Sequence, residues 1–130
     1  MIKELKLYGI PNCNTVKKAR SWLDENAISY EFHDFKKQGV TEEMLSTWLK
    51  QVGWQKLLKK TGPTWGLLSD AVKASIKDDA SALSLMLEKP NVIKRPVLVC
   101  KEKVLATGFG RQSNQAPAEY QNLLNHTLSP

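Results

Sequence analysis

Apolar and polar positions along this chain mark its elements before any residue is considered for chemistry. Leu5-Lys6-Leu7-Tyr8 is a short β-rich run that ends in a Gly/Pro turn, Gly9-Ile10-Pro11. Val16, Ala19 and Leu23 then recur at helical spacing, with Lys17, Lys18 and Arg20 on the other faces. Asn26-Ala27 closes that helix, and Ile28-Ser29-Tyr30-Glu31-Phe32-His33 alternates as a half-buried strand does. Two strands joined by one helix predict a parallel β-α-β unit, because such a crossover needs about a dozen residues.

Residues 41–90 read as helical throughout. Thr41 suits an N-cap, with Glu42 and Glu43 where carboxylates favour the helix dipole. Met44, Leu45, Trp48, Leu49 and Val52 form the apolar stripe; Gly53, Gly62-Pro63 and Gly66 cut the middle of the block into short pieces. Asp79 is expected to cap a second clear helix with Leu83, Met86 and Leu87 on one face and Pro90 as its stop. Ile93 to Cys100 is the strongest strand pattern, and Val104-Leu105-Ala106 returns after the Lys101-Glu102-Lys103 turn as a hairpin partner. Gly108 and Gly110 open a loop. Pro117 suits the first turn of a last helix, on which Tyr120, Leu123, Leu124 and Leu128 line up for burial. The order β-α-β, helical block, β-β-α is an α/β arrangement.

Composition narrows the setting. A chain of 130 residues, 42% hydrophobic and 25% charged, is expected to form one ordinary globular domain. Lys3, Glu4 and Lys6 stand where a signal peptide needs apolar residues, and no run reaches membrane-spanning length. A cytoplasmic location is the expectation. Two cysteines, Cys13 and Cys100, make no disulfide framework and suit a reducing compartment. The histidines His33 and His126 are not at ligand spacing from them, so no metal site is expected. The net charge of +6 is spread over pairs such as Lys17/Lys18, Lys59/Lys60 and Lys94/Arg95. Without a long basic run or a nucleic-acid-reading motif, direct nucleic-acid binding is not expected, and a small anion is a better use of a few cations.

The chemistry concentrates at Cys13. A free cysteine is ordinarily an inert, buried small residue. This one follows a strand and a Gly/Pro turn and stands at the start of a helix, where unpaired N–H groups and a partial positive charge stabilise a thiolate. Asn14, Thr15 and Lys17 add donors and charge nearby. Three residues on stands Val16, so the C-x-x-C dithiol is absent and a redox cycle needs a second thiol from elsewhere. Cys100, in an apolar strand, reads as a core residue. Arg95-Pro96 is the second constellation. By itself it reads as a strand boundary; it can instead be a cis bond that turns Arg95 toward the thiol to hold an anion.

Tyr8-Gly9-Ile10-Pro11-Asn12-Cys13, Gly53-Trp54 with Leu57-Leu58, Thr61-Gly62, Leu85-Met86-Leu87 and Lys94-Arg95-Pro96 together resemble the ArsC/Spx/YffB family, and most closely its YffB-like branch. The resemblance spans nearly the whole chain and implies a thioredoxin-like fold with a four-stranded mixed sheet. Residues 1–40 and 91–130 would form that core and 41–90 an all-helical insertion. It further implies Cys13 as nucleophile, Pro96 as the cis-proline facing it, Arg95 as an anion-binding arginine and Lys59 at a second arginine position; Lys17, Asn14 and Thr15, beside Cys13 in the sequence, complete the expected anion-binding set. No bound cofactor or metal is implied; glutathione is the implied co-substrate, acting on a small-molecule or protein thiol or disulfide. The arsenate-reducing branch carries three arginines and a histidine around its cysteine. Here Lys59 and Thr107 stand in place of two of the arginines, Arg111 is offset by four residues, and Gly9 occupies the histidine position. A lysine offers a point charge rather than a planar fork, which argues against arsenate. Spx-like relatives imply an alternative, a regulatory module that docks on RNA polymerase, but their C-x-x-C is missing here.

Overall fold

The computed structural model describes residues 5–109 and 117–126. The chain divides into two compact units, one formed by the residues up to Gln38 with those from Arg95 onward, the other by Gly39–Lys94. The first unit begins with β1 (Leu5–Gly9), α1 (Asn14–Glu25), β2 (Glu31–Asp34) and a single turn, α2 (Phe35–Gln38). Strand β2 is shorter than the alternation predicts. Ala27, at φ 56, ends α1 in the left-handed conformation, with its N–H donating to Asp24 O and the Ile28 N–H to Leu23 O. That pair of bonds is a Schellman closure. Ile28 is buried because it packs back on Leu23 at the helix end, so sheet pairing starts only at Glu31.

In the second unit, α3 (Glu42–Val52) is capped by Thr41, whose hydroxyl accepts from Met44 N at 3.1 Å, and ends at Gly53, φ 85. Short turns follow: α4 (Trp54–Leu57), α5 (Pro63–Gly66) and α6 (Asp70–Ser75), before α7 (Asp79–Glu88). The cap of α7 is Asp78, one residue before the one expected. Its carboxylate accepts from Ser81 N while the Ser81 hydroxyl reaches back to the cap N–H, a capping box. Asp79 instead accepts from Trp54 N at 3.0 Å. The buried face of α7 is Ala82, Leu85 and Met86; Leu87 is exposed, correcting the expected stripe. After a 3₁₀ turn (Pro90–Val92), Ile93 bridges Leu58, and Lys94 N donates to Leu57 O. Those bonds keep residues 93 and 94 out of the main sheet, which is why the third strand begins later than its apolar pattern.

The chain returns to the first unit as β3 (Val97–Cys100), β4 (Lys103–Thr107) and α8 (Ala118–His126). The sheet order is β2-β1-β3-β4, with β1 parallel to β2 and antiparallel to β3, and a bulge at Leu105 of β4. This is the four-stranded mixed sheet of the thioredoxin-like fold. Its core joins Leu5, Leu7, Leu98 and Ala106 of the sheet to Ala19 and Leu23 of α1 and Tyr120 and Leu123 of α8. Pro117 lies just before α8, its carbonyl accepting from Tyr120 N and Gln121 N. The Leu124 side chain, Leu128 and Arg111 lie outside the described residues. Among the described residues, no helix is long and apolar enough to cross a membrane.

Candidate active site

Cys13 is the N-cap of α1, with extended backbone (φ −103°, ψ 125°), and its carbonyl accepts the first helical bond from Lys17 N at 2.9 Å. A side chain at this position normally presents an oxygen to the N–H of the second or third helical residue. Here the residue is cysteine, and those positions are Thr15 and Val16. The sulfur makes no close capping hydrogen bond; the N–H groups act on it by favouring its charged form.

The half-buried sulfur is under opposing influences. Removal from water is the largest and pushes the thiol up. Against it stand the Val16 N–H, the Arg95 guanidinium as hydrogen-bond donor, the Thr15 N–H and the Arg95 charge. Together these win, and the thiol sits below its ordinary value of 9.0. Cys13 is thereby predisposed to be a thiolate nucleophile.

Arg95 arrives from a distant part of the sequence through the sheet register. Tyr8 pairs with Val97, so the chain leaving β1 toward Cys13 and the chain entering β3 through Arg95-Pro96 lie at the same sheet end. The Arg95–Pro96 peptide bond is cis, Pro96 is buried, and the Pro96 carbonyl accepts from Gly108 N at 2.7 Å. Arg95 is half-buried with its Nε enclosed. Beside β1, the rings of Tyr8 and His33 stack at 4.7 Å, with Phe35 next to both. Burial, then the charge of Glu31, pushes the Tyr8 phenol up.

The structure thus brings together Cys13, Thr15 and Arg95. Asn14 and Lys17 are exposed on the first turn of α1, and among the described residues Arg95 is the cation that acts on the thiol. Lys59 belongs to the second unit, half-buried with its Nζ over Gly62. The contributor that sequence reasoning passed over is Val16, noted for its place on the apolar stripe of the helix and for standing where a second cysteine would, but not as a donor. Counting from the cap would have found it, because the third helical N–H is a standard capping donor. Cys100 pairs with Leu5 at the far end of β1. Four strand steps separate Leu5 from Gly9, roughly 13 Å. Cys13 precedes Val16, whose side chain lies against Gly9, so it stands beyond that end of the strand. A disulfide needs Cα atoms within about 7 Å, so Cys13 cannot reach Cys100 in this fold. No cluster of His, Cys, Asp or Glu among the described residues could hold a metal ion.

Comparison with known proteins agrees with the fold. The family model described as the ArsC family matches residues 8–116. An uncharacterized protein of Haemophilus influenzae is 39% identical over 112 residues, covering 86% of this chain and 96% of that one. The regulatory protein MgsR of Bacillus subtilis is 28% identical over 109 residues, 81% of this chain and 83% of its own. The solved structure of a protein named YffB superposes with a TM-score of 0.75 at 45% identity, covering 82% of this chain and 91% of that chain.

Proposed function

Since this chain belongs to the ArsC family, we propose that it is a glutathione-dependent thiol reductase that works through one cysteine. The observation that carries this reading is a stabilised thiol at the N-cap of α1 with the second cysteine of the chain out of reach at the other end of the sheet. The resolving thiol then comes from outside, and glutathione supplies it. In the first step the Cys13 thiolate attacks the glutathione sulfur of a mixed disulfide R–S–SG; the S–S bond breaks, its electron pair leaves with RS⁻, which takes a proton from water, and Cys13–S–SG forms. In the second step a glutathione thiolate attacks the glutathione sulfur of that adduct, releasing GSSG and the Cys13 thiolate. Net, one disulfide is exchanged for another and RSH is freed. Arg95 holds a carboxylate of glutathione, and exposed Lys17 adds positive potential.

Incubation with oxidised glutathione near neutral pH, followed by peptide mass mapping, is expected to place the adduct on Cys13 and to leave Cys100 unmodified. Turnover of a glutathionylated peptide with reduced glutathione then completes the cycle. A Cys13 that stays unmodified, or that ionises at its ordinary value, overturns the proposal. The similarity to the regulator MgsR favours a second reading, a protein-docking regulator that needs no activated thiol. A Cys13→Ser variant that keeps full cellular function selects it. Arsenate reduction is disfavoured because, among the described residues, Arg95 is the arginine that acts on the thiol. Turnover with arsenate and glutathione is expected to be negligible.

A further inference from the structure

Gly9 is the last residue of β1 and is buried. Its φ is not in the left-handed region that glycine alone favours, in contrast to Gly39, Gly53 and Gly108. A side chain is excluded there by space. A Cβ at position 9 would lie 2.8 Å from Val16 Cγ2, closer than real Cβ contacts occur, and 3.5 Å from Cγ1. Val16 has little freedom to yield. It is fully buried, and a β-branched side chain in a helix is confined to one strongly preferred rotamer. The same residue supplies the N–H that acts on the Cys13 thiol.

From this contact we infer that Gly9 is a positioning residue for the nucleophile: the missing side chain lets the first turn of α1 seat against the end of β1, and that seating aims the Val16 N–H at the Cys13 sulfur. A glycine used for close approach of helix to strand is a familiar device. Here the approach fixes the electrostatics of the cap. A methyl group at position 9 pushes Val16, and with it the backbone of the first turn, outward from the strand. The thiolate then loses part of a charge-assisted hydrogen bond while the Arg95 contribution remains. The inference rests on Cys13 being the reactive thiol of the proposed function, and not on what that thiol attacks.

The test is the pH profile of Cys13 alkylation by iodoacetamide, followed by intact mass, in wild type, Gly9→Ala and the double variant Gly9→Ala/Val16→Ala. The double variant removes the clashing methyls and is smaller than wild type by about one methyl; its folding is checked by circular dichroism before the profile is read. In Gly9→Ala the inflection moves to higher pH and the rate at neutral pH falls about three- to tenfold, the range for partial loss of one hydrogen bond to a charge. Rates converge with wild type at pH values where both thiols are ionised. In the double variant the inflection returns toward wild type. A Gly9→Ala profile that superimposes on wild type overturns the inference, and so does a double variant that remains shifted. If Gly9→Ala does not fold, recovery of folding in the double variant together with a wild-type profile supports the inference, and a double variant that also fails to fold, or folds with a shifted profile, overturns it. Because iodoacetamide replaces glutathione, the role of Gly9 is decided even in a chain that fails to form glutathione adducts.

Discussion

Replacing Arg95 by methionine removes the cation that, among the described residues, acts on Cys13, while keeping an unbranched side chain of similar reach. Two effects are lost together, a hydrogen bond to the sulfur and the attraction of a full charge. A unit-charge pair about 4 Å apart interacts by roughly 4 kcal/mol at an effective dielectric constant of 20. Both residues are half-buried, however, so water screens much of that attraction. Hydrogen bonds to charged groups net about 1.5–3 kcal/mol. The lower end suits this setting, because the Val16 and Thr15 N–H groups remain to hold the thiolate. A loss of about 1.4 kcal/mol is a tenfold fall in thiolate population below the inflection. Alkylation of Arg95→Met by iodoacetamide at neutral pH should thus run about tenfold slower than wild type, with its inflection displaced upward and its high-pH plateau unchanged. Arg95→Lys, which keeps a charge without the planar fork, should fall between the two. A uniform slowing at every pH would mean that Arg95 governs access to the sulfur and not its ionisation, and would refute the electrostatic role assigned to it.

Three further outcomes rest on single observations. The Tyr120 hydroxyl is buried without a hydrogen-bond partner among the described residues, and burial pushes it far above its ordinary range. Tyr120→Phe keeps the edge contacts with Trp22 and Phe109 and should raise stability by about 1 kcal/mol in urea denaturation; a loss would show that the hydroxyl is satisfied. Ala27 stands in the left-handed conformation at the end of α1, where glycine removes the Cβ clash, so Ala27→Gly should stabilise by about 0.5–1 kcal/mol despite its entropy. The depressed Cys13 thiol links stability to pH: the unfolded chain holds its proton up to about 9.0 while the folded chain releases it earlier. Stability relative to Cys13→Ser is therefore fully present above the ordinary thiol value and lost as pH falls through the folded one. Denaturation midpoints of the two proteins across that window check the sign.

The order of elements was legible because each carries its own periodicity, 3.6 at Val16, Ala19 and Leu23 and alternation at Leu5 to Tyr8. The strand boundaries were less so, for reasons outside the pattern. Ile28 is apolar in order to close a helix end, and Ile93 pairs with Leu58 instead of joining the sheet. The α7 cap was displaced by one residue because two consecutive aspartates offer the same chemistry, and only the Ser81 hydroxyl and the Trp54 N–H decide between them. At the site, Cys13 could be read from the strand–turn–helix context. The facing of Arg95 depends on the pairing of β1 with β3, a contact between residues nearly ninety positions apart that no local pattern encodes. The tight contact of Gly9 with Val16 is likewise invisible until strand and helix are placed in space.

The groups that stabilise the thiolate differ in what else they can do. The Val16 and Thr15 N–H groups are fixed in the first turn of α1 and act on the sulfur by favouring its charged form. Arg95 can divide its donors between the sulfur and an anionic substrate, because a guanidinium carries five N–H groups in a planar fork. In the proposed cycle this separates two demands that otherwise compete. Before reaction, the helix N–H groups keep the sulfur ionised while Arg95 draws in the carboxylate. Once the mixed disulfide forms, the sulfur is neutral, and the guanidinium is left to the carboxylate alone. The adduct is then the state in which glutathione is held most firmly. A cysteine with no partner within reach in its own chain needs such a state, because its intermediate must persist until a second thiol arrives from solution.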